Sequence, residues 1–342
     1  MSSVIMNGRV LLVPSNGQAR VAAELNRRLQ LQTVQPGPSM ASGIKGHLWE
    51  QAMLPLRLAG RPLWSPSTSA PIGYRNQVVT VHDIGFVDAP QYFAPRFAAI
   101  YNFIVGRVSK SARHLVTVSQ FSRQRLIEHY KVPEDRVSFV YLGVSEAFSI
   151  RPADEVRDVL QRHGLADTPY VIAFSGADPR KNTGGVLAAW NKLAASRKGA
   201  KLVLFGRSSN SSVFGASQLT GDVTDVVRVG GVSDAELACL FTGSRGLIFP
   251  SLYEGFGLPI IEAAASGAPI VCSNVTSMPE VAPSSAILLD PASTNAIAQA
   301  IEACLGNEPD AAMRAGLSRE AGRFSWDTAA RSYADLFATV FG

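Results

Sequence analysis

The chain has 342 residues, of which 46% are hydrophobic and 17% charged, and its formal net charge is +5. The apolar fraction excludes a disordered chain, and the lack of any glycine period excludes a collagen-like one. No apolar stretch reaches the ~20 residues that cross a bilayer. The apolar run at the start of the sequence is too short and too polar for a secretory signal.

Short runs rich in Val, Ile and Phe alternate with segments of helical period along the first half of the chain. This alternation is typical of parallel sheets with helices on both faces. Strands are predicted at 9–13, 31–35, 77–81, 114–118 and 137–141. Helices are predicted between them at 19–30, 46–58, 95–111 and 120–129.

A second series of the same kind follows. Its strands are predicted at 170–174, 201–205, 226–229, 246–249, 269–272 and 286–289, and its helices at 182–196, 234–242, 259–266, 294–305, 308–322 and 326–341. The chain is therefore expected to be an α/β protein of two doubly wound domains, residues 1–165 and 166–325. A helix at 326–342 is expected to cross back to the first domain, and ligands are expected where strands end.

The most informative segment is 250–269, where a strand leads through a glycine turn into a helix that Pro259 can open. Backbone N–H groups of Gly255, Phe256, Gly257 and Leu258 can face a ligand there, because glycine permits close approach. The helix N-terminus adds partial positive charge. These features predict an anion site.

Two carboxylates flank this turn, Glu254 within it and Glu262 in the helix. An acid beside a phosphate would repel it, so both are assigned to sugar and ribose hydroxyl groups. An ordinary loop with surface acids is the alternative, which the combined Gly, Pro and acid spacing makes the weaker one.

A second candidate loop follows the strand at 170–174 and reads Gly-Ala-Asp-Pro-Arg-Lys-Asn over 176–182. Arg180 and Lys181 stand at a helix start for which Asn182 is a candidate N-cap. Two cations in this place would bind a diphosphate, although solvated helix-start cations are the alternative. No Asp-x-Asp pair is present, so no metal site is expected and cationic side chains with N–H dipoles would replace a divalent ion.

Two further loops follow strands of the first half. His82 ends a strand, and a His in that position faces a ligand cleft more often than a random one, although a structural role is nearly as common. The turn at 14–18 contains Gly17 and could approach a diphosphate.

The 250–269 segment resembles the acid-x7-acid signature of the retaining family 4 glycosyltransferases. Segments 80–83, 117–122, 176–182, 229–237, 277–281 and 324–326 also resemble that family, in its order. The resemblance covers nearly the whole chain and implies the GT-B fold, two Rossmann-like domains with a cleft between them. It further implies a nucleotide diphosphate sugar as donor substrate, with no cofactor and no metal.

The resemblance also implies roles for single residues. Lys181 would stabilise the departing diphosphate, and Arg180 would substitute for an Arg that many relatives carry where this chain has Ala177. His82 would contact the donor sugar and orient the reactants, without acting as a general base.

A last role implied by the resemblance is recognition of the nucleotide base. Backbone groups of Gly230, Gly231 and Val232 would make these contacts. Backbone contacts do not distinguish one base from another, so this loop leaves the choice of nucleotide open.

The overall similarity is closest to bacterial mannosyltransferases of surface polysaccharide assembly. It predicts retaining transfer of a hexosyl unit, mannose from GDP-mannose as first choice, to a saccharide or lipid-diphosphate-linked saccharide. The alternatives are a UDP-sugar donor, a sugar-nucleotide 2-epimerase and a catalytically silent scaffold. A dehydrogenase is excluded because no G-x-G-x-x-G follows a strand.

Charge is divided unequally, since residues 1–165 hold 19 Lys and Arg against 11 Asp and Glu, and the remainder 13 against 16. The segment 91–112 places five aromatic residues beside Arg96, Arg107 and Lys110. It predicts contact with an anionic membrane surface, at the inner face of the cytoplasmic membrane, unless it is a core helix with solvated cations. No nucleic acid partner is expected. Three cysteines without metal or disulfide spacing indicate the cytoplasm.

Overall fold

The computed structural model describes residues 4–13, 17–206 and 224–342. By its internal contacts the chain divides into two compact units. The first unit comprises Met1–Pro90, Pro95–Gly143 and Ser325–Gly342, and the second comprises Gln91–Ala94 and Val144–Phe324. Each unit is built around one six-stranded parallel sheet.

The sheet of the first unit has the strand order β2-β1-β3-β4-β5-β6. Its strands are β1 Ile5–Asn7, β2 Gln32–Val34, β3 Leu63–Ser65, β4 Gln77–Thr80, β5 His114–Thr117 and β6 Val137–Phe139. Its helices are α1 Gly17–Leu29, α2 Gly43–Leu48, α3 Leu54–Leu58, α4 Gly85–Asp88, α5 Pro95–Ser111 and α6 Gln120–Tyr130. The strand order reverses between β1 and β3, as in a doubly wound sheet.

The start of this sheet differs from the prediction. The predicted strand at 9–13 is wrong, because the first strand ends at Asn7 and Gly8–Leu12 form a 3₁₀ helix. The Asn7 side chain accepts a hydrogen bond from Arg9 N–H at 3.2 Å, which starts the turn. Strand β3 is missing from the prediction. Only three residues separate Pro62 from Pro66, which is too short a run to show a strand pattern.

A buried ion pair fixes the turn after β1. Glu50, 1% exposed, lies in a π-helical turn, Trp49–Met53, that joins α2 to α3. Its Oε2 accepts from Arg9 Nη1 at 2.7 Å and also from the Ser69 hydroxyl, and its Oε1 accepts from Asn7 Nδ2 at 2.8 Å. Three segments distant in sequence therefore meet at one carboxylate.

The sheet of the second unit has the strand order β12-β11-β10-β7-β8-β9. Its strands are β7 Tyr170–Phe174, β8 Lys201–Phe205, β9 Val226–Arg228, β10 Leu247–Phe249, β11 Ile270–Ser273 and β12 Ile287–Leu289. Its helices are α7 Ala153–Arg162, α8 Thr183–Lys192, α9 Asp234–Gly243, α10 Leu258–Ala265, α11 Met278–Val281, α12 Thr294–Gly306 and α13 Ala311–Ala321.

Apolar packing on one face of this second sheet places its loops. Trp190 of α8 and Ile297 and Ile301 of α12 are fully buried against Leu202 and Ile248 of the sheet. Burial of each large apolar side chain contributes about 1.5–3 kcal/mol. The sheet is thus a rigid platform from whose strand ends the loops project. The prediction of two doubly wound parallel domains is confirmed.

The unit boundary lies earlier than residue 165. Helix α7 packs against α9 of the second unit. The Phe148 ring lies 6.2 Å from that of Phe241, and the Arg151 N–H donates to Thr242 Oγ1 at 3.2 Å. Residues 144–165 therefore lie with the second unit, because their apolar side chains find partners there.

The last helix, α14 Trp326–Phe341, lies with the first unit. Tyr333 and Phe337 are buried against Trp64 at ring distances of 5.2 and 5.8 Å, and the Tyr333 hydroxyl is 2.9 Å from Thr80 Oγ1. A Cβ on Gly143 would lie 2.2 Å from the Trp326 backbone nitrogen, so no side chain fits there.

Two further observations concern the whole described chain. The three cysteines, Cys239, Cys272 and Cys304, are buried and unpaired, and burial raises the pKa of Cys304 to about 11. In the residues that the structure describes, no helix combines the length and the apolar character needed to cross a membrane.

Candidate functional site

The candidate site lies where the strand order of the second sheet reverses. From β7 the chain proceeds to β8 on one side, whereas β10 pairs with β7 on the other. Loops that leave the carboxyl ends of two such strands diverge and leave a crevice, the usual ligand site of doubly wound sheets. The loops after β7 and β10 contain the two candidate segments predicted from sequence, 176–182 and the start of 250–269.

Lys181 and Glu254, 73 residues apart, meet directly in this crevice. Lys181 Nζ donates to Glu254 Oε1 at 2.5 Å, and Ser251 Oγ donates to the same oxygen at 2.8 Å. Glu254 Oε2 makes no hydrogen bond within the described residues. Both side chains are largely buried, which strengthens their electrostatic interaction.

Backbone contacts hold the two loops together around this pair. The Leu252 N–H donates to the Arg180 carbonyl at 2.7 Å. Asn182 has a φ of 55°, and its Nδ2 donates to the carbonyls of Pro250 and Pro291 at 3.0 and 2.8 Å. Asn182 occupies the predicted N-cap position of α8, but its side chain makes no capping hydrogen bond there. Its amide instead ties three loops together.

Arg180 has a different environment from Lys181. Its Nε and Nη2 bond to the Asp178 carboxylate at 3.0 and 2.7 Å, and its guanidinium lies 4.8 Å from the centroid of the Phe93 ring. Asp178 also accepts from the Arg180 N–H at 3.0 Å. The charge of Arg180 is therefore balanced by its neighbour, whereas Lys181 extends to the loop after β10.

The turn after β10 brings backbone groups to the same place. Gly257 has a φ of +105°, which a side chain would strain, and is the N-cap position of α10 with Pro259 in its first turn. The Ser277 hydroxyl bridges the carbonyls of Glu254 and Phe256 at 3.0 Å each. Gly255, Phe256 and Gly257 are buried, and Leu258 is half-buried.

The remaining predicted residues of the second unit lie at the same edge of its sheet. Glu262 is 5% exposed in α10. Gly230 and Gly231 are exposed after β9, and Gly230 has a φ of 53°. Val232 precedes Ser233, whose hydroxyl caps α9 by accepting from the Glu236 N–H at 3.2 Å. The structure brings Lys181 and Glu254 into contact and gives no contact of these residues with that pair.

In the first unit, His82 follows β4 and is 8% exposed. Its Nε2 is 3.0 Å from the Pro66 carbonyl, which can only accept, so Nε2 carries the proton and Nδ1 is an acceptor. Burial lowers the pKa of His82, which keeps the ring neutral. Of the predicted turn at 14–18, residues 14–16 lie outside the described residues, and Gly17 begins α1.

The basic aromatic segment 91–112 has both buried and exposed apolar side chains in the structure. Phe93 is buried, and Phe97 stacks on Tyr101 with 4.2 Å between ring centroids. Ile100 and Phe103 are 50% and 59% exposed. Sequence reasoning missed a second exposed apolar set, Ile44, Leu48 and Leu56 at 80%, 60% and 82%. The signal was present as apolar residues spaced four and eight apart around Lys45 and Arg57.

Comparisons with known proteins relate this architecture to a family. Residues 156–321 match the family model described as Glycosyl transferases group 1. Residues 60–148 match the model described as Glycosyltransferase Family 4. The two matched segments correspond to the second and first units.

O-antigen chain mannosyltransferase B of Escherichia coli is 34% identical over 267 residues, 77% of this chain and 70% of that protein. The chain belongs to glycosyltransferase family 4. This family 4 glycosyltransferase is also 27% identical to O-antigen chain mannosyltransferase RfbU of Salmonella typhimurium, over 64% of this chain and 57% of that protein. The predicted family and the prediction of an enzyme are confirmed.

A solved structure supports the fold. Alr3699/HepE of Anabaena, crystallised with UDP, matches 99% of the glycosyltransferase with a TM-score of 0.76 at 17% identity. At that identity the likeness concerns the fold alone, and it confirms the predicted GT-B class.

Proposed function

We propose that this glycosyltransferase transfers a mannosyl unit from a nucleoside diphosphate sugar, with GDP-mannose as the first candidate. The acceptor is a saccharide or a lipid-diphosphate-linked saccharide of a surface polysaccharide. The observation that carries the proposal is the Lys181–Glu254 pair at the point where the strand order reverses. The two relatives described above are O-antigen mannosyltransferases by name, which supports mannose as the sugar.

Lys181 supplies the positive charge in the proposed reaction. As the bond between the anomeric carbon and the diphosphate breaks, negative charge develops on the leaving group. An ammonium group already fixed in a largely buried pair needs little reorganisation to stabilise that charge. The N–H groups at the start of α10 add partial positive charge. This arrangement supports departure of the diphosphate without a divalent metal or other cofactor.

The two glutamates bind hydroxyl groups in this proposal. Glu254 Oε1 is engaged by Lys181 and Ser251, which leaves Oε2 to accept hydrogen bonds from hydroxyl groups of the donor sugar. Glu262, eight residues later in α10, takes the ribose hydroxyls.

His82 contacts the donor sugar rather than abstracting a proton. Its lowered pKa makes it a weak base, and its Nε2 proton is used by the Pro66 carbonyl. The Nδ1 lone pair can accept from a sugar hydroxyl. We therefore propose retention by a front-face route in which the leaving phosphate assists deprotonation of the acceptor.

The nucleotide is identified by thermal shift. We expect GDP and GDP-mannose to raise the melting temperature of the second unit more than UDP, ADP or their sugars. At a hundredfold excess over Kd, a ligand stabilises by about 2.7 kcal/mol. For a unit of this size that corresponds to roughly 5–10 °C.

The matched control is Lys181→Ala, in which the shift caused by the diphosphate should shrink. A larger shift with UDP would identify a UDP-sugar, instead of GDP-mannose, as the donor. No shift with any nucleotide would contradict the proposed donor class.

We also propose that the first unit associates with an anionic membrane. The exposed apolar residues Ile44, Leu48 and Leu56 alternate with cations, and Ile100 and Phe103 extend from α5. The His47 ring lies edge-on to Tyr101 at 6.1 Å, so α2 and α5 are neighbours. Apolar side chains amid Lys and Arg are typical of surfaces that insert into the headgroup region.

Sedimentation with vesicles tests this association. We expect the double substitution Leu48→Ser and Phe103→Ser to weaken partition onto phosphatidylglycerol vesicles by about tenfold or more, because two apolar side chains no longer insert. The matched control is Leu288→Ser with Met313→Ser. These two apolar side chains of the second unit are 45% and 48% exposed. Equal partition of both variants and the wild type would refute the association.

A further inference from the structure

A groove of about 640 Å³ opens on the first unit. Four cations line it, Arg75, Arg107, Lys110 and Arg136. Arg75 lies just before β4, Arg136 just before β6, and the other two in the last turns of α5 before β5. The groove is therefore at the edge where the strands begin. His82 lies at the opposite edge of the same sheet, where β4 ends.

The walls of the groove are held in place by hydrogen bonds. Ser111 Oγ donates to the Ile72 carbonyl at 3.0 Å, which joins the end of α5 to the loop before β4. Arg136 Nη2 donates to the carbonyls of Ser109 and Ala112, the former at 3.3 Å. Arg136 thus closes the end of α5 and keeps its guanidinium inside the groove.

The other three cations have no such role. Within the described residues, no carboxylate pairs with Arg75, Arg107 or Lys110, and all three are exposed. Elsewhere in this unit, Arg28 and Arg125 are each paired with two acids. Arg107 and Lys110 are three residues apart on one helix, where like charges are destabilising. An anion bound between them would relieve this repulsion.

We propose that this groove binds a phosphate or diphosphate group, separate from the nucleotide-sugar site. Guanidinium groups match phosphate oxygens in pairs, and a lysine adds a point charge. A concave surface with four converging cations suits a compact anion of more than one charge. The phosphate belongs either to a soluble ion or to a lipid headgroup at a membrane surface.

The test uses inorganic pyrophosphate in calorimetric titration of the full chain. Arg107→Ala with Lys110→Ala removes two groove cations, and Arg319→Ala with Arg331→Ala removes two exposed cations elsewhere. Loss of two charge-assisted contacts should weaken groove binding by about tenfold or more in the first variant only. Pyrophosphate bound by the other unit contributes equally to all three proteins, and an unchanged melting temperature of the first unit in differential scanning calorimetry shows that the variants fold.

Vesicles distinguish the two sources of phosphate. One outcome is that the groove variant loses affinity for phosphatidylglycerol vesicles alone, with its binding to pyrophosphate and to phosphatidylcholine vesicles unchanged. In that case the ligand is a lipid headgroup. Loss of pyrophosphate binding assigns a soluble phosphate. The proposal is overturned if the groove variant binds both probes as the control does, or if the wild type binds neither.

Discussion

Replacing Lys181 with alanine is expected to lower kcat by roughly 100- to 1,000-fold, the usual cost of removing one group that stabilises charge in a transition state. The substitution also leaves the Glu254 carboxylate with Ser251 as its hydrogen-bond donor. Steady-state assays with separate kcat and KM measure the effect. Glu254→Ala is expected to show a comparable loss, because the ammonium group and the donor sugar then lose their common partner.

The controls follow from the contacts of neighbouring cations. Arg180→Ala should cost less than Lys181→Ala, since the Arg180 guanidinium bonds to Asp178 within its own loop, whereas Lys181 reaches Glu254 in the loop after β10. Lys192→Ala removes an exposed lysine bonded to Asn295 and should leave kcat unchanged. The double variant of Lys181 and Glu254 should lose less than the product of the single losses, as groups that act together do. Near-wild-type turnover in either single variant would disprove the assignment. Metal independence is tested separately, by assays in excess chelator.

Replacing Glu50 with alanine is expected to destabilise the first unit by about 3–5 kcal/mol, because it leaves the buried charge of Arg9 uncompensated. Arg9 is 9% exposed, and its guanidinium retains the Ala41 carbonyl and the Ser69 hydroxyl as hydrogen-bond partners. Differential scanning calorimetry should show a melting temperature lower by roughly 10 °C.

An apolar double replacement is the internal control for this pair. Arg9→Met with Glu50→Leu removes both charges and should be less destabilising than Glu50→Ala, since neither partner is left unpaired. A melting temperature of Glu50→Ala that matches the wild type would show that the pair is open to water.

The helices and strands of the second unit follow closely from the sequence. Its buried parallel strands are continuous runs of Val, Ile, Leu and Phe, and glycines, prolines and N-cap serines bound its helices. The turn at 250–258 was predictable because its Gly and Pro positions restrict the backbone locally. Short strands between prolines, such as Leu63–Ser65, have too few residues for any period to appear.

The contacts within the site were not predictable in the same way. That Lys181 reaches Glu254 depends on β10 pairing beside β7, which is a long-range outcome of packing. The pairing of Arg180 with Asp178 is local. The sequence nevertheless does not show which of the adjacent cations, Arg180 or Lys181, bonds to Asp178. The meeting of Arg9 and Glu50 across 41 residues depends on a π-helical turn that has no sequence signature.

The position of α14 has a consequence for the order in which the units fold on the ribosome. Residues 144–324 are translated after the sheet of the first unit and before α14. At 5–20 residues per second, that takes roughly 10–40 s. During this interval Trp64 and Thr80 lack Tyr333 and Phe337, which cover them in the native unit. The unit that is made first therefore completes its core last, and its nascent form presents apolar surface that chaperones recognise.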